Sequence, residues 1–476
     1  MSDDLDPQDW ESFRQRSHEA LDGMIDFLRS ARERPVWREA PAEIRNRFEA
    51  PLPRAPRDFV DVLEDFDTHI KPFAVGNTHP LFMGWVHGAG TPVGMIAEML
   101  AGGLNANCGG RNHIGIEVER QITRWVAELF EFPQGSSGVF VTGSSAANFL
   151  GLLVARDAAM GHDIRGAGLI EKGARLTAYA SDQAHACVAQ AMELAGAGSA
   201  HLRLIPIDSA GAMRTDLLEA AIARDLAADL NPFLIVGTAG SVNTGAIDPL
   251  PELARIARRF HLWFHIDGAF GALAALSANL RPRLLGIEQA DSIALDFHKW
   301  AHVPYDSGFL LVRDAAMHRG TFANAAAYLS RAPRGLAAGE TWPCDLGPDL
   351  SRGFRALKTW FTFQVHGADK IGRAIEANCE NAAYLAERLA QSDTFELRAP
   401  ASLNIVCFAL RAAWPDRANE EIVIDLQERG IAAPSTTTLS GRPVIRAAIV
   451  NHRTTRADIN HFLAALDEAA SRVSHE

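Results

Sequence analysis

Lys299 lies in "SIALDFHKW" (292–300), where a run apolar enough for a buried strand, Ile293 to Leu295, empties into Asp296-Phe297-His298-Lys299-Trp300 rather than into a Gly, Pro or Asn turn. Lysine in a partly buried pocket can lose its proton and attack a carbonyl carbon. A second apolar run, "LWFHIDGAFG", closes on Asp267. A carboxylate at a buried strand end is costly unless a cation or hydrogen-bond donors meet it. Ala269, two residues on, shares its face if the strand persists, setting a small flat contact beside the charge. "VFVTGSSAANFLGLLVAR" passes from strand to helix through Gly143-Ser144-Ser145, where free N–H groups and two hydroxyls suit a phosphate. "SDQAHACV" leaves another strand with His185 at the start of a helix.

Each feature has a plainer reading. Ser144 and Ser145 suit ordinary N-caps, Asp267 a turn before glycine, and His185 a structural or surface position. The spacing of a P-loop is absent. His261, His265 and Asp267 would share a strand face and admit a metal, but the four-residue step between the histidines is too long for easy chelation, and no metal is expected. Together, however, lysine, carboxylate, flat wall and cradle form one coherent set. Pyridoxal 5'-phosphate (PLP) needs each member: an amine for its aldehyde, an acid for its ring nitrogen, a surface to stack on and a grip for its phosphate.

These side chains need elements to hold them. "GVFVT", "RLTAYAS", "LRLIPID", "PFLIVGTAG", "LWFHID", "SIALDF" and "GFLLVRD" alternate with helical segments, and several are apolar almost throughout. That pattern predicts a mostly parallel α/β sheet covered on both faces, with the site at the carboxyl ends of its strands. Ahead of it, Phe13, Leu21, Met24, Ile25 and Leu28 recur at helical spacing. This arm has little core of its own and must pack on something else, a partner subunit among the options. Beyond about residue 365, "LNIVCFALR", "NEEIVIDLQERG", "RPVIRAAIV" and "RADINHFLAALDEAA" predict a small α+β lobe. The expected division is 1–75, 76–365 and 366–476. The chain of 476 residues is 47% hydrophobic and 22% charged, as expected of a soluble globular protein, and its net charge of -12 argues against nucleic acid or an anionic membrane surface as partner. Five scattered cysteines suggest no disulfide framework, and the acidic start lacks the layout of a signal peptide, so a cytoplasmic setting is expected.

Across nearly its whole length the sequence resembles the group II PLP-dependent amino-acid decarboxylases, which include aromatic-L-amino-acid, histidine and glutamate decarboxylases. The resemblance rests on "RPVW", "NTHPLFMGWVHGAGTPVGMIAEML", "GSSAANFLGLLVAR", "SDQAHACV", "GTAGSVNTGAIDPL", "FHIDGAFG", "DFHKW", "SRGFRALKTWF" and "RPVIRAAIVNHRTT". It implies the aspartate-aminotransferase-type (fold type I) architecture, in a homodimer whose N-terminal arm wraps on its partner. It implies PLP as cofactor and decarboxylation of an L-amino acid to the amine and carbon dioxide. Lys299 then matches the lysine that bonds the cofactor, and Asp267 the partner of the pyridine nitrogen. His185 matches the residue stacked on the ring opposite Ala269, Ser144 and Ser145 the phosphate-binding positions, and His298 the histidine beside the lysine.

The chain also departs from that pattern. Aromatic members carry a proton-donating tyrosine on a mobile loop; the corresponding stretch, 329–353, has none, and Tyr328 lies just outside it. An aldehyde synthase, or a PLP-binding protein without turnover, therefore stands as the alternative. Ser241-Val242 replace an expected threonine, and Asp296 stands where asparagine is expected. Trp85 and His87 occupy the substrate wall where an aromatic residue and a proline are expected. Asn105, Asn107, Arg111 and His113 replace largely apolar residues, either in a polar substrate pocket or as polar contacts at a dimer interface.

Overall fold

The computed structural model describes residues 4–172, 175–324, 330–411, 415 and 417–473. Seven strands form the main sheet: β1 (Ser137–Val141), β2 (Leu176–Ser181), β3 (Leu202–Ile205), β4 (Asn231–Thr238), β5 (Trp263–Asp267), β6 (Ser292–Asp296) and β7 (Gly308–Val312). Their order is β1-β7-β6-β5-β4-β2-β3. Each expected apolar run became one of these strands, and β1, β2, β6 and β7 are buried along their entire length. Pairs from β3 through β6 are parallel, whereas β7 runs antiparallel to both β6 and β1. The reason is connection length. Only the short segment from Phe297 to Ser307 links β6 to β7, too little for a parallel crossover, and Lys299 sits within it.

One expectation needs correction. His261 does not share the face of Asp267, because it caps the helix Leu250–Phe260 at φ 57 and β5 begins two residues later at Trp263. His265, by contrast, is central to the layer beneath the site. Trp263 Nε1–H donates to Ser292 Oγ at 2.8 Å, and that hydroxyl meets His265 Nδ1 at 2.7 Å. His265 Nε2 meets Asn148 Oδ1, also at 2.7 Å, which ties β5 to the helix Ser144–Met160.

A second sheet, β8 (Phe395–Leu397), β9 (Ile405–Leu410), β10 (Ser435–Leu439) and β11 (Arg442–Ala448), is antiparallel in the order β10-β11-β9-β8. Helices Ala368–Ala390, Arg417–Glu428 and Arg456–Val473 pack on it through Leu385, Leu389, Ile422 and Phe462. At the other end of the chain, the helix Trp10–Arg29 is N-capped by Asp9 and buries no residue. The segment after this helix is anchored: Val36 N–H donates to Gly430 O at 2.8 Å, and Arg32 pairs with Asp458. Among the described residues no helix is long and apolar enough to cross a membrane.

Candidate active site

Asp267, Asp296 and the Gly143-Ser144 turn all lie where strands of the main sheet end, around a cavity of about 530 Å³. That volume falls within the range of small-molecule sites. Lys299, His185, Ala269, His298, Ser144, Ser145, Trp85 and His87 line it too, so the expected site residues converge on one space.

Lys299 rides on a single helical turn, Phe297–Trp300. Trp300 anchors that turn from below, fully buried, with Nε1–H donating to Asn378 Oδ1 at 3.0 Å. Gly88 lies over it from above; a Cβ there would collide with the carbonyl oxygens of His298 and Lys299, so only glycine permits this approach. Lys299 Nζ is 3.1 Å from Asp296 Oδ2. His298 is held by the Ser307 N–H, which donates to its Nδ1 at 3.0 Å, and by the Tyr305 ring, 4.3 Å from its own.

Asp267 is only 5% exposed. The Ala269 N–H donates to its Oδ1 at 3.1 Å, and among the described residues it makes no ion pair within 4 Å. Burial pushes its carboxyl above the usual range, opposed chiefly by the charge of Lys299. His185 accepts the Cys187 N–H on Nδ1 at 3.2 Å, which leaves the proton of its neutral ring on Nε2.

The anion cradle differs from the expectation in one respect. Ser144 is not free, because Asp296 takes both its N–H (2.6 Å) and its hydroxyl (2.7 Å). Ser145, next along the same helix start, remains in the cavity wall. The acidic residue at the asparagine position is thus bonded to the backbone, one of the ways such a charge is tolerated at a helix N-terminus. An amine, a buried carboxyl with no cation beside it, a small flat residue and a helix start with a serine fit PLP as a set.

Trp85 and His87 stack with ring centroids 5.6 Å apart, and Tyr305 meets His87 edge-on at 6.0 Å. Together they make one wall of the cavity. Sequence alone does not single out Tyr305; "VPYDSG" reads as an ordinary turn, and only its place directly after the lysine turn hints at a role. Ser241 bonds Thr244 at 3.0 Å while Val242 faces the cavity.

The polar stretch 105–113 lies outside this wall. Asn105 ends the helix Pro92–Leu104 at φ 46, Asn107 Oδ1 accepts the N–H groups of Gly109 and Arg352, and His113 caps the helix Ile114–Leu129. Arg111 stands 4.8 Å over the Trp342 ring. Within this chain Asn107, Arg111 and His113 each make a structural contact of their own. Trp342 and Arg331 pin the stretch from 330 onward to the same region, with the Asn112 N–H donating to Leu336 O at 2.8 Å. Tyr328 lies outside the described residues. Among the described residues no group of three or more His, Cys, Asp or Glu could hold a metal ion.

Residues 41–411 match the family model described as the pyridoxal-dependent decarboxylase conserved domain. The chain is 31% identical to an aromatic-L-amino-acid decarboxylase of Bacillus atrophaeus, over 98% of this chain and 96% of the relative. It is 27% identical to a phenylacetaldehyde synthase of Arabidopsis thaliana, over 99% and 98%. In structure it is similar to Oryza sativa TDC with PLP and tryptamine, with a TM-score of 0.90 and 25% identity over 98% of this chain and 99% of that one. With the family model spanning most of its length and a lysine, a carboxyl and an anion cradle around one cavity, the chain belongs to the pyridoxal-dependent decarboxylases, carboxy-lyases that use PLP to act on amino acids.

Proposed function

We propose that this chain decarboxylates an L-amino acid to its amine, with Lys299, Asp267 and His185 as the catalytic residues. Bound PLP supplies an electron-poor ring that accepts the pair left behind when the carboxylate departs. Asp267 keeps a proton on the ring nitrogen; its upward-shifted carboxyl and the absence of an ion pair support that role. Lys299 would hold the cofactor through its amine, and His185 and Ala269, which line the same cavity, would flank its ring, with His185 positioning the substrate. Ser145 grips the phosphate, with Ser144 held beside it by Asp296, and His298 braces the lysine turn. Trp85, His87 and Tyr305 receive the substrate side chain, and their rings favour a flat one.

The observation that carries this reading is the meeting of Lys299 and Asp267 in one cavity. Lys299→Ala tests it: the visible absorbance of lysine-bound cofactor should vanish while the fold persists. Retention of that band would move the attachment point elsewhere.

A second outcome has its own support. No tyrosine occurs between 329 and 353, and a relative of this chain is a phenylacetaldehyde synthase. Without a timely proton at the substrate carbon, oxygen intercepts it, giving aldehyde, ammonia and peroxide. Product analysis separates amine from aldehyde directly.

The chain acts as a homodimer in the cytoplasm. The helix Trp10–Arg29 leaves Trp10 58% exposed and buries none of its residues, and Ile114 is 75% exposed, apolar surface that a second copy would cover. Five free cysteines fit a reducing compartment.

A further inference from the structure

Three residues past Lys299 the chain reaches His302, which is 3% exposed and has no hydrogen-bond partner on either ring nitrogen. Its backbone sits at φ 57, a left-handed conformation that costs a histidine free energy. The ring of His452 lies 4.8 Å away, edge to face, and its Nδ1 is buried without a partner as well. Arg453 Nη1 and His366 Nε2 are in the same condition. Buried polar atoms are nearly always paired, and an orphan points to a missing water or ion. Here five nitrogens on four side chains are orphaned, and the four stand close enough to feel one another. Burial drives the imidazole of His302 down to about 3, and Arg453 and His366 push the same way; burial likewise drives His452 down to about 2, with His302, Arg453 and His366 adding to it.

The chemistry of the cluster selects its occupant. It offers N–H donors and one fixed positive charge, which repels a cation, and among the described residues no three His, Cys, Asp or Glu side chains converge to hold a metal ion. Asp458, an acid nearby in sequence, is already engaged by Arg32 and by the N–H and hydroxyl of Thr455. Arg453 is half-buried with its Nη1 enclosed and unpartnered, and an anion there would satisfy both its charge and that donor. Arg453 also lines a cavity of about 500 Å³ whose wall includes Arg29 and Arg32, each paired with an aspartate, and Pro92, which gives the cluster an approach from solvent.

We propose that His302, His452 and Arg453 form a binding site for a small monovalent anion of halide type, reached through the cavity beside the helix Trp10–Arg29. Arg453 supplies the charge and one donor, each imidazole supplies one N–H, and His366 borders the site. The interior position of His302 favours an ion that sheds water readily, such as bromide, over sulfate or phosphate. Because His302 continues directly from the turn that carries Lys299, the ion also fixes the backbone at the end of that turn.

Bromide is the probe. Crystals of the wild-type holoenzyme soaked in sodium bromide should show an anomalous peak within hydrogen-bonding distance of Arg453 Nη1 and the ring nitrogens of His302 and His452. In solution, with ionic strength held constant by gluconate, the Tm of the holoenzyme should rise saturably with bromide. The rise should be absent in His302→Leu and in Arg453→Met. His302→Leu removes both orphaned nitrogens; if it does not fold, the wild-type anomalous map and Arg453→Met still decide. A map with waters alone, or a side chain of a second copy, on these nitrogens would overturn the proposal. So would an equal bromide response in the wild type and both variants.

Discussion

At the scale of single residues, the site is governed by two carboxylates with opposite tasks. Asp267 is buried and raised by that burial, so it gains most from a protonated ring nitrogen beside it. Asp267→Ala should still bind cofactor through Lys299 and Ser145 but lose turnover by about 100-fold or more. Rates at saturating PLP check this, and a near-normal rate would refute the role. Asp296 is different, because it spends its charge on Ser144 and Lys299. A cofactor phosphate at Ser145 faces that negative charge. Asp296→Asn keeps an oxygen for Ser144 and removes the repulsion, so cofactor should bind about tenfold tighter, a change near 1.4 kcal/mol. Equal or weaker retention in a dialysis assay would mean that the carboxylate is harmless where it sits.

At the scale of elements, the lysine turn, the stretch after residue 330 and the layer beneath β5 each carry a consequence. Trp342 is 1% exposed and is locked by Arg331 and Asp345, so it is a poor place to install a proton donor. Leu336, 67% exposed on the same stretch, is the better one. Leu336→Tyr should raise the ratio of amine to aldehyde if the stretch lacks only a donor; an unchanged ratio would point to an acid in the cavity, such as His185 or Tyr305. Beneath the site His265, and elsewhere in the interior His79 and His318, are buried and held neutral, lowered from 6.5 to about 3, 4 and 4 by desolvation. A folded pKa below the unfolded one means that their stability is present above about pH 6.5 and lost as pH falls toward 4. Each costs about 1.4 kcal/mol per pH unit in that window. Asp248, raised to about 6 by burial, acts with the opposite sign but is outnumbered. The urea midpoint should therefore drop between pH 7 and pH 5, with a shallower slope in His265→Gln; a flat profile would contradict neutral burial.

Legibility followed the same division. Strands buried on both faces read as unbroken apolar runs, so β1 to β7 could be found from composition alone. Lys299, Asp267, Ala269, His185 and His298 were legible because each lies at or just beyond a strand end, where an open α/β sheet gathers its chemistry. The direction of β7 comes from the short link after Lys299, on which the strand pattern is silent. Tyr305 was hidden in a turn without periodicity. The bond from the Arg352 N–H to Asn107 and the contact of Arg111 with Trp342 join residues more than 200 positions apart, and no local pattern reports such pairs.

At the scale of the molecule, the proposed homodimer rests on the N-terminal arm. The helix Trp10–Arg29 holds its shape through Asp9 and surface ion pairs, yet none of its residues is fully buried in its own chain. Light scattering should give twice 51.6 kDa, and removal of residues 4–30 should yield a monomer with little activity. A fully active monomer would reject the dimer.

That Lys299 holds PLP in a site that removes the carboxylate of an L-amino acid is tested most directly by one measurement. The purified holoenzyme is incubated with each carboxyl-labelled proteinogenic L-amino acid, and labelled carbon dioxide and the visible spectrum are followed together. The expected result is release from one or a few substrates, flat side chains first, with a matching spectral shift, and none from Lys299→Ala. Cofactor bound at Lys299 with no labelled carbon dioxide from any of them, or equal release from Lys299→Ala, would contradict it.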